Sequence, residues 1–149
     1  MSMLAAIAHA TSTLVLVGLI WTIQVVHYPL FVHVDAEVFS VFEAAHSRRI
    51  TAVIAVPWAV QGLSTAVLLL APPSGVPRWL VLTTAALALI PVVVTLVWSV
   101  PAHAVLASGF DAAAHARLVA TNWLRTAALT LGGVSATAVL VLALRFKPD

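Results

Sequence analysis

The chain has 149 residues, of which 62% are hydrophobic and 8% charged, whereas a soluble domain is about one quarter charged. There is too little polar surface here to coat a water-soluble globule, and a net charge of +2 without a basic, aromatic-interleaved cluster excludes a nucleic-acid interface. The absence of cysteine excludes disulfides, thiolate metal sites and cysteine redox chemistry.

A bilayer core takes about 20 apolar residues of helix, and four stretches of the chain qualify. The first is Leu4–Phe31, which lacks the positive leading segment of a secretory signal and is therefore expected to be a true span. Asp35 and Glu37 interrupt the apolar pattern, and the polar stretch FEAAHSRRI (Phe42–Ile50) follows. The second span is Ile50–Ala71, with Pro57 inside it. The turn APPSGVPR comes next, where paired prolines stop one helix and Pro77 starts another. The third span is Trp79–Val100, with Pro91 inside, and Pro101–Asp111 forms the next break. The last span is Leu118–Leu144, where Gly132, Gly133 and Ala136 suit close helix contact. Internal prolines in membrane helices signify kinks, because neighbouring helices re-satisfy the freed carbonyls. The expected fold is all-α, a four-helix transmembrane bundle forming a single integral membrane domain in a lipid bilayer.

Four spans place both termini and the APPSGVPR turn at one membrane face and the other two loops at the opposite face. Arg78, Arg145 and Lys147 mark the first face, and Arg48, Arg49 and Arg117 the second. The second group has acidic and imidazole neighbours that give it another reason to exist, so the termini are expected to be cytoplasmic. Of six histidines, His27, His33, His46, His103 and His115 fall at the second face, with Asp35, Glu37, Glu43 and Asp111; His9 is alone at the other end.

The two polar segments of that face resemble each other. FEAAHSRRI and FDAAAHARLV (Phe110–Val119) both run aromatic, acid, alanines, His, small residue, Arg, allowing one extra alanine. Upstream, WTIQVVHYPLF and WSVPAHAVLASGF each carry a Trp with a His five or six residues on. The two alignments compete in register, pairing Asp111 with Glu43 or with Asp35. A duplicated helical hairpin would bring both polar rims together about an axis along the membrane normal.

Helical spacing puts Glu43 and His46 (i, i+3) on one face, and likewise Asp111 and His115 (i, i+4). His115, Asn122 and Arg125 form a polar stripe descending into the last span; Gln24 and His27 form a similar pair on the first. Polar side chains in lipid face the bundle interior, so together these residues outline a funnel opening at one rim. His27, Glu43 and His46, with His103, Asp111 and His115, are candidate metal ligands: two His/carboxylate/His sets of the kind that suits iron or another first-row metal. A haem held by His27 and His103 is a second version. His46, Glu43 and His115 are the candidate proton-moving residues, and Gln24, Asn122 and Arg125 the candidate ligand-orienting ones. Simpler readings stand beside these. Asp111 is a good helix N-cap, Arg48 and Arg49 are interfacial anchors, His33 is solvated, and Trp123 packs in the bundle.

The motifs W..Q.VHYPLF, F..(E)..H..R and VP.H..L..GFD..AH..LV.TNW.RT are present as Trp21–Phe31, Phe42–Arg49 and Val100–Thr126. In these the chain resembles a family of small, mostly uncharacterised four-span bacterial membrane proteins, and the likeness spans nearly the whole sequence. It departs just after Thr126, where the family shows a Trp and then Arg-Gly, and Leu129 and Gly132-Gly133 stand here. The resemblance implies a four-helix fold in a bacterial cell membrane and no established activity. A remoter likeness is to anthrone-oxygenase-like four-span proteins.

No Ser-His-Asp arrangement, phosphate loop or metalloprotease motif is present, which disfavours a hydrolase. The leading expectation is a small membrane oxidoreductase that binds a metal or haem and acts on a lipophilic small molecule. The alternative is a non-catalytic accessory or ligand-binding protein. A transporter is a third reading, needing a homo-oligomer to widen its pathway and polar groups along the full membrane depth.

Overall fold

The structure is a computed structural model, and it describes residues 1–146; Lys147, one of the residues used above to orient the chain, lies outside that range. Among the described residues four helices are long and apolar enough to cross a membrane: α1 (Ser2–His33), α2 (Phe39–Leu70), α3 (Arg78–Leu106) and α4 (Ala112–Arg145). They form the expected four-helix bundle. α4 packs against both α1 and α3, α1 also packs on α2, and the α2–α3 seam is the loosest of the four. Consistently, only 17% of the most apolar stretch of α2 is buried, against 33% for α3 and 44% for α1 and α4.

The helices run past the apolar stretches that announce them. α2 begins at Phe39, so FEAAHSRRI is its first turns and not a loop. α3 continues through Pro101 to Leu106, and α4 starts at Ala112. Hydropathy marks the hydrocarbon slab, whereas a helix continues wherever its backbone is paired and its polar side chains find partners.

Two of these helices are not α-helical throughout. α1 widens into a π turn at Ile23–His27 and tightens into a 3-10 stretch at Tyr28–His33. α3 has the same device at Thr95–Ser99. In each case the π turn ends two residues before a proline, Pro29 or Pro101. A proline cannot donate to the carbonyl four residues back, and its ring crowds that carbonyl; an added residue in the preceding turn moves the clash aside. Pro57 and Pro91 lie inside continuous α-helix, so proline permits the bulge without dictating it.

The core has three levels. At the terminal face Ala5, Ala6, Leu68, Val76, Leu80, Val81, Val139 and Ala143 pack together, joining both ends of the chain to the APPSGVPR turn. Gly75 in that turn has φ +75°, and a Cβ there would run into the Phe146 ring. A middle layer is formed by Leu16, Ile20 and Leu129 with Ile54 and Trp58. At the opposite rim an aromatic cluster includes Tyr28, Phe31, Phe39, Leu106 and Leu118. Gly133 lets α4 approach α1: a Cβ there would stand 3.3 Å from Val17 and 3.4 Å from Leu14. Trp123 is a correction, since it lies 48% exposed on the outer surface, edge-on to Trp21 at 5.8 Å.

Buried polar residues are not confined to that rim. His9 is 1% exposed, and its Nδ1 lies 3.2 Å from Thr65 Oγ1 and 3.4 Å from Ser64 Oγ. Gln61 Nε2 donates to Thr13 Oγ1 at 2.9 Å, and Thr84 and Ser135 pair at 2.6 Å between α3 and α4. These are single cross-helix hydrogen bonds of the kind that join membrane helices, and the middle apolar layer separates them from the rim.

Candidate functional site

The first turns of α2 carry the centre of the site. Glu43 is fully buried, five residues into α2, and its Oε1 accepts from Ser47 Oγ at 2.9 Å. The same oxygen lies 2.6 Å from His103 Nδ1, a contact delivered from α3 beyond Pro101. A carboxylate only accepts, so Nδ1 carries a proton towards Glu43. The other ring nitrogen, Nε2, lies 3.2 Å from the Tyr28 hydroxyl. The result is a carboxylate–imidazole–phenol chain, Glu43–His103–Tyr28, contributed by three helices.

Tyr28 is itself held by its backbone. His115 Nε2 donates to the Tyr28 carbonyl at 2.8 Å, and the His115 ring stacks on Phe31 at 5.9 Å. His115 thus positions the 3-10 stretch and does not join the other histidines. Asp111 is also placed apart: it is exposed, and its Oδ1 accepts from the Ala114 backbone N–H at 2.7 Å as the N-cap of α4. The expectation of two equivalent ligand sets is corrected here. Glu43 lies inside its helix and faces the core, whereas Asp111 precedes its helix and spends its carboxylate on the helix end.

On the other side of α2, His27 Nε2 and His46 Nδ1 are 2.7 Å apart. His46 lies beside both neighbours, with ring centroids 4.6 Å from His27 and 5.3 Å from His103. His27, Glu43, His46 and His103 are therefore neighbours, drawn from both of the sets considered above. Yet among the described residues no three His, Asp or Glu side chains are disposed to share a metal ion. The haem pairing of His27 with His103 also finds both His103 nitrogens and His27 Nε2 already hydrogen-bonded.

Gln24 and Asn122 bond each other, Asn122 Nδ2 to Gln24 Oε1 at 2.7 Å, and so join α1 to α4. Arg125, one turn deeper, is 7% exposed and donates from Nη1 to Ser99 Oγ at 3.2 Å. Its guanidinium also lies beside the Tyr28 hydroxyl. Among the described residues four buried side-chain atoms have no hydrogen-bond partner: Glu43 Oε2, His46 Nε2, Asn122 Oδ1 and Arg125 Nε.

A small cavity of about 20 Å³ lies against Arg125, and two wider clefts reach these groups between helices, not as a single funnel at the rim. One, about 360 Å³, lies between α1 and α2 and is lined by His27, His46, Phe42 and Arg49 among apolar residues. The other, about 250 Å³, lies between α2 and α3 and is lined by Tyr28, Ser47, Ser99, His103 and Arg125. Sequence reasoning missed Tyr28, Ser47 and Ser99. The signals were present: Ser47 is four residues after Glu43, and Tyr28 and Ser99 each stand next to or two before a proline. No protein-family model, curated protein or solved structure matches the chain.

Proposed function

We propose that this chain is a small membrane enzyme that holds a lipophilic molecule in the α2–α3 cleft and moves a proton on it through Glu43, His103 and Tyr28. The observation that carries this reading is the ordered chain from Glu43 Oε1 through both His103 nitrogens to the Tyr28 hydroxyl at the cleft wall. The buried carboxylate fixes the tautomer and orientation of the imidazole, which makes the phenol a positioned acid or base. Proton transfer of this kind suffices for isomerisation, and it would serve the oxidation of a phenol or quinol where a separate electron acceptor, such as a quinone from the bilayer, takes the electrons. An accessory protein that only docks a partner has no use for an inward-facing relay.

Histidine 15N spectra of the purified protein test the geometry, with a His103→Asn variant to assign the signal. His103 should be protonated at Nδ1 and bare at Nε2; the opposite tautomer would sink the relay. Turnover is tested on a panel of lipophilic phenols, quinols and carbonyl compounds read by mass spectrometry. Any activity found should fall by roughly 10²-fold or more in Tyr28→Phe and in His103→Asn.

A metal-assisted oxidation is the second reading. Glu43 Oε2 and His46 Nε2 favour it, being buried, unpartnered and three residues apart on one helix. Two free donors begin a first-row metal site, and substrate or solvent oxygens would have to complete it. Metal analysis and a visible spectrum after expression with iron and haem supplied decide the matter. Stoichiometric iron that disappears in Glu43→Gln and in His46→Ala would favour this reading over the metal-free one.

A further inference from the structure

We propose that the α2–α3 cleft takes the oxyanion head of an amphipathic organic acid, a carboxylate or phenolate on an apolar body, with Arg125 as its counter-charge. This names the ligand class of the site above and rests on that reading only for the position of Tyr28 and His103.

Arg125 is a buried cation without an acidic partner in contact among the described residues. Arg125 is 7% exposed, and among the described residues the groups its guanidinium meets are neutral hydroxyls, Ser99, to which Nη1 donates at 3.2 Å, and the neighbouring Tyr28. Its Nε is buried without a partner. Among the described residues the only acid–base pair in contact is His103 with Glu43, so no carboxylate lies within ion-pair distance of Arg125. Ionised side chains inside a membrane bundle are costly and are found paired, or on the path of a charged ligand. The guanidinium offers several donors in a planar fork, which matches a carboxylate or phenolate oxygen better than a neutral carbonyl.

The surroundings select the rest of the ligand. Ser99 and Tyr28 border the same cleft as Arg125, and Ile23, Ile50, Ile54 and Val100 supply its apolar wall. A volume of about 250 Å³ accommodates a head group and a ring-sized portion, below the usual range for a whole drug-sized ligand. The remainder of the molecule would lie in the loose α2–α3 seam, whose mouth carries the exposed Thr51 and Val100.

An anionic phospholipid offers the same charge, but depth argues against it. Arg125 lies about 20 Å along α4 from Ala112, and the 34-residue helix is about 51 Å long. Centred on a hydrocarbon core of about 30 Å, that helix places Arg125 about 10 Å below the interface where phosphates reside. A free acid reaches that depth.

Binding is measured by calorimetry on the protein in uncharged detergent, using dodecanoate and 4-nonylphenol, at pH values where each is ionised, against dodecan-1-ol. Phosphatidylglycerol is tested against phosphatidylcholine by native mass spectrometry. At least one of the two acids should bind tenfold or more tighter than the alcohol. Arg125→Gln should erase that preference, and the rim variant Arg49→Gln should keep it. Should Arg125→Gln fail to fold, Val100→Trp at the exposed mouth keeps the charge and fills the entrance, and it should also abolish binding. Equal affinity for the acids and the alcohol overturns the proposal. So does a preference that survives Arg125→Gln or Val100→Trp, and so does selective retention of phosphatidylglycerol that neither acid displaces. Loss of the His103 tautomer signature with binding intact would remove the relay reading and leave this one standing.

Discussion

At the scale of single residues, Glu43 bears the most. It accepts from Ser47 and from His103 while fully buried, so losing one donor and losing the acceptor are unequal perturbations. Ser47→Ala removes one of two bonds to a charged acceptor and should cost about 1.5–3 kcal/mol at most. Glu43→Ala removes the acceptor itself, strands the His103 Nδ1–H and opens a cavity, and should destabilise more than Ser47→Ala does. Thermal unfolding in detergent orders the two, and an inverse order would mean that Glu43 is not the organising group. His46 and His103 were legible in the sequence because acids and imidazoles crowd one rim. Asp111 and His115 were drawn in with them by the likeness of FDAAAH to FEAAH, and a single inserted alanine undoes it. The pair becomes i, i+4, the acid falls outside its helix as an N-cap, and the imidazole turns to the Tyr28 carbonyl.

At the scale of elements, the π turns explain why the site is where it is. An extra residue in a turn rotates everything beyond it by about 100°, and His103 lies just beyond the bulge at Thr95–Ser99. Apolar periodicity taken at a constant 3.6 residues per turn loses its register there, so the pairing of His103 with Glu43 was not readable from spacing. Pro101→Ala removes the ring that favours the widened turn. It should weaken or abolish the His103–Glu43 bond, seen as loss of the fixed His103 tautomer in the 15N spectrum, while the protein stays folded. An unchanged His103 signal would mean that tertiary packing alone maintains the bulge. The polar contacts at the other end of the bundle are of a different kind. Gln61→Leu breaks one cross-helix hydrogen bond to Thr13 and should cost only about 0.6 kcal/mol, the average for such bonds in membranes, with ligand binding at the rim unaffected. A loss of binding there would show that the middle apolar layer of Leu16, Ile20 and Leu129 does not isolate the two polar regions.

At the scale of the whole molecule, four spans were legible because nothing but membrane helices accounts for a chain this apolar. The openings were not, because they depend on which seam is loosest. α4 packs against α1 and α3, whereas α2 packs closely on α1 alone and is the least buried helix, and a cleft lies on each side of it. A ligand would enter sideways from the bilayer, past Thr51 and Val100, and no polar funnel is needed for it. The absence of native cysteine makes this testable with single-cysteine variants in sealed vesicles. Ser74→Cys in the APPSGVPR turn and Ser108→Cys beyond α3 lie at opposite faces and should react with a charged maleimide from opposite sides, which also orients the termini. Thr51→Cys should resist the charged reagent from both sides and react with an uncharged, lipophilic maleimide. Its labelling should slow when an acid that occupies the cleft is present. Rapid reaction of Thr51→Cys with the charged reagent would place the entrance in water, and the route to Arg125 would then start at the membrane surface instead of within the bilayer.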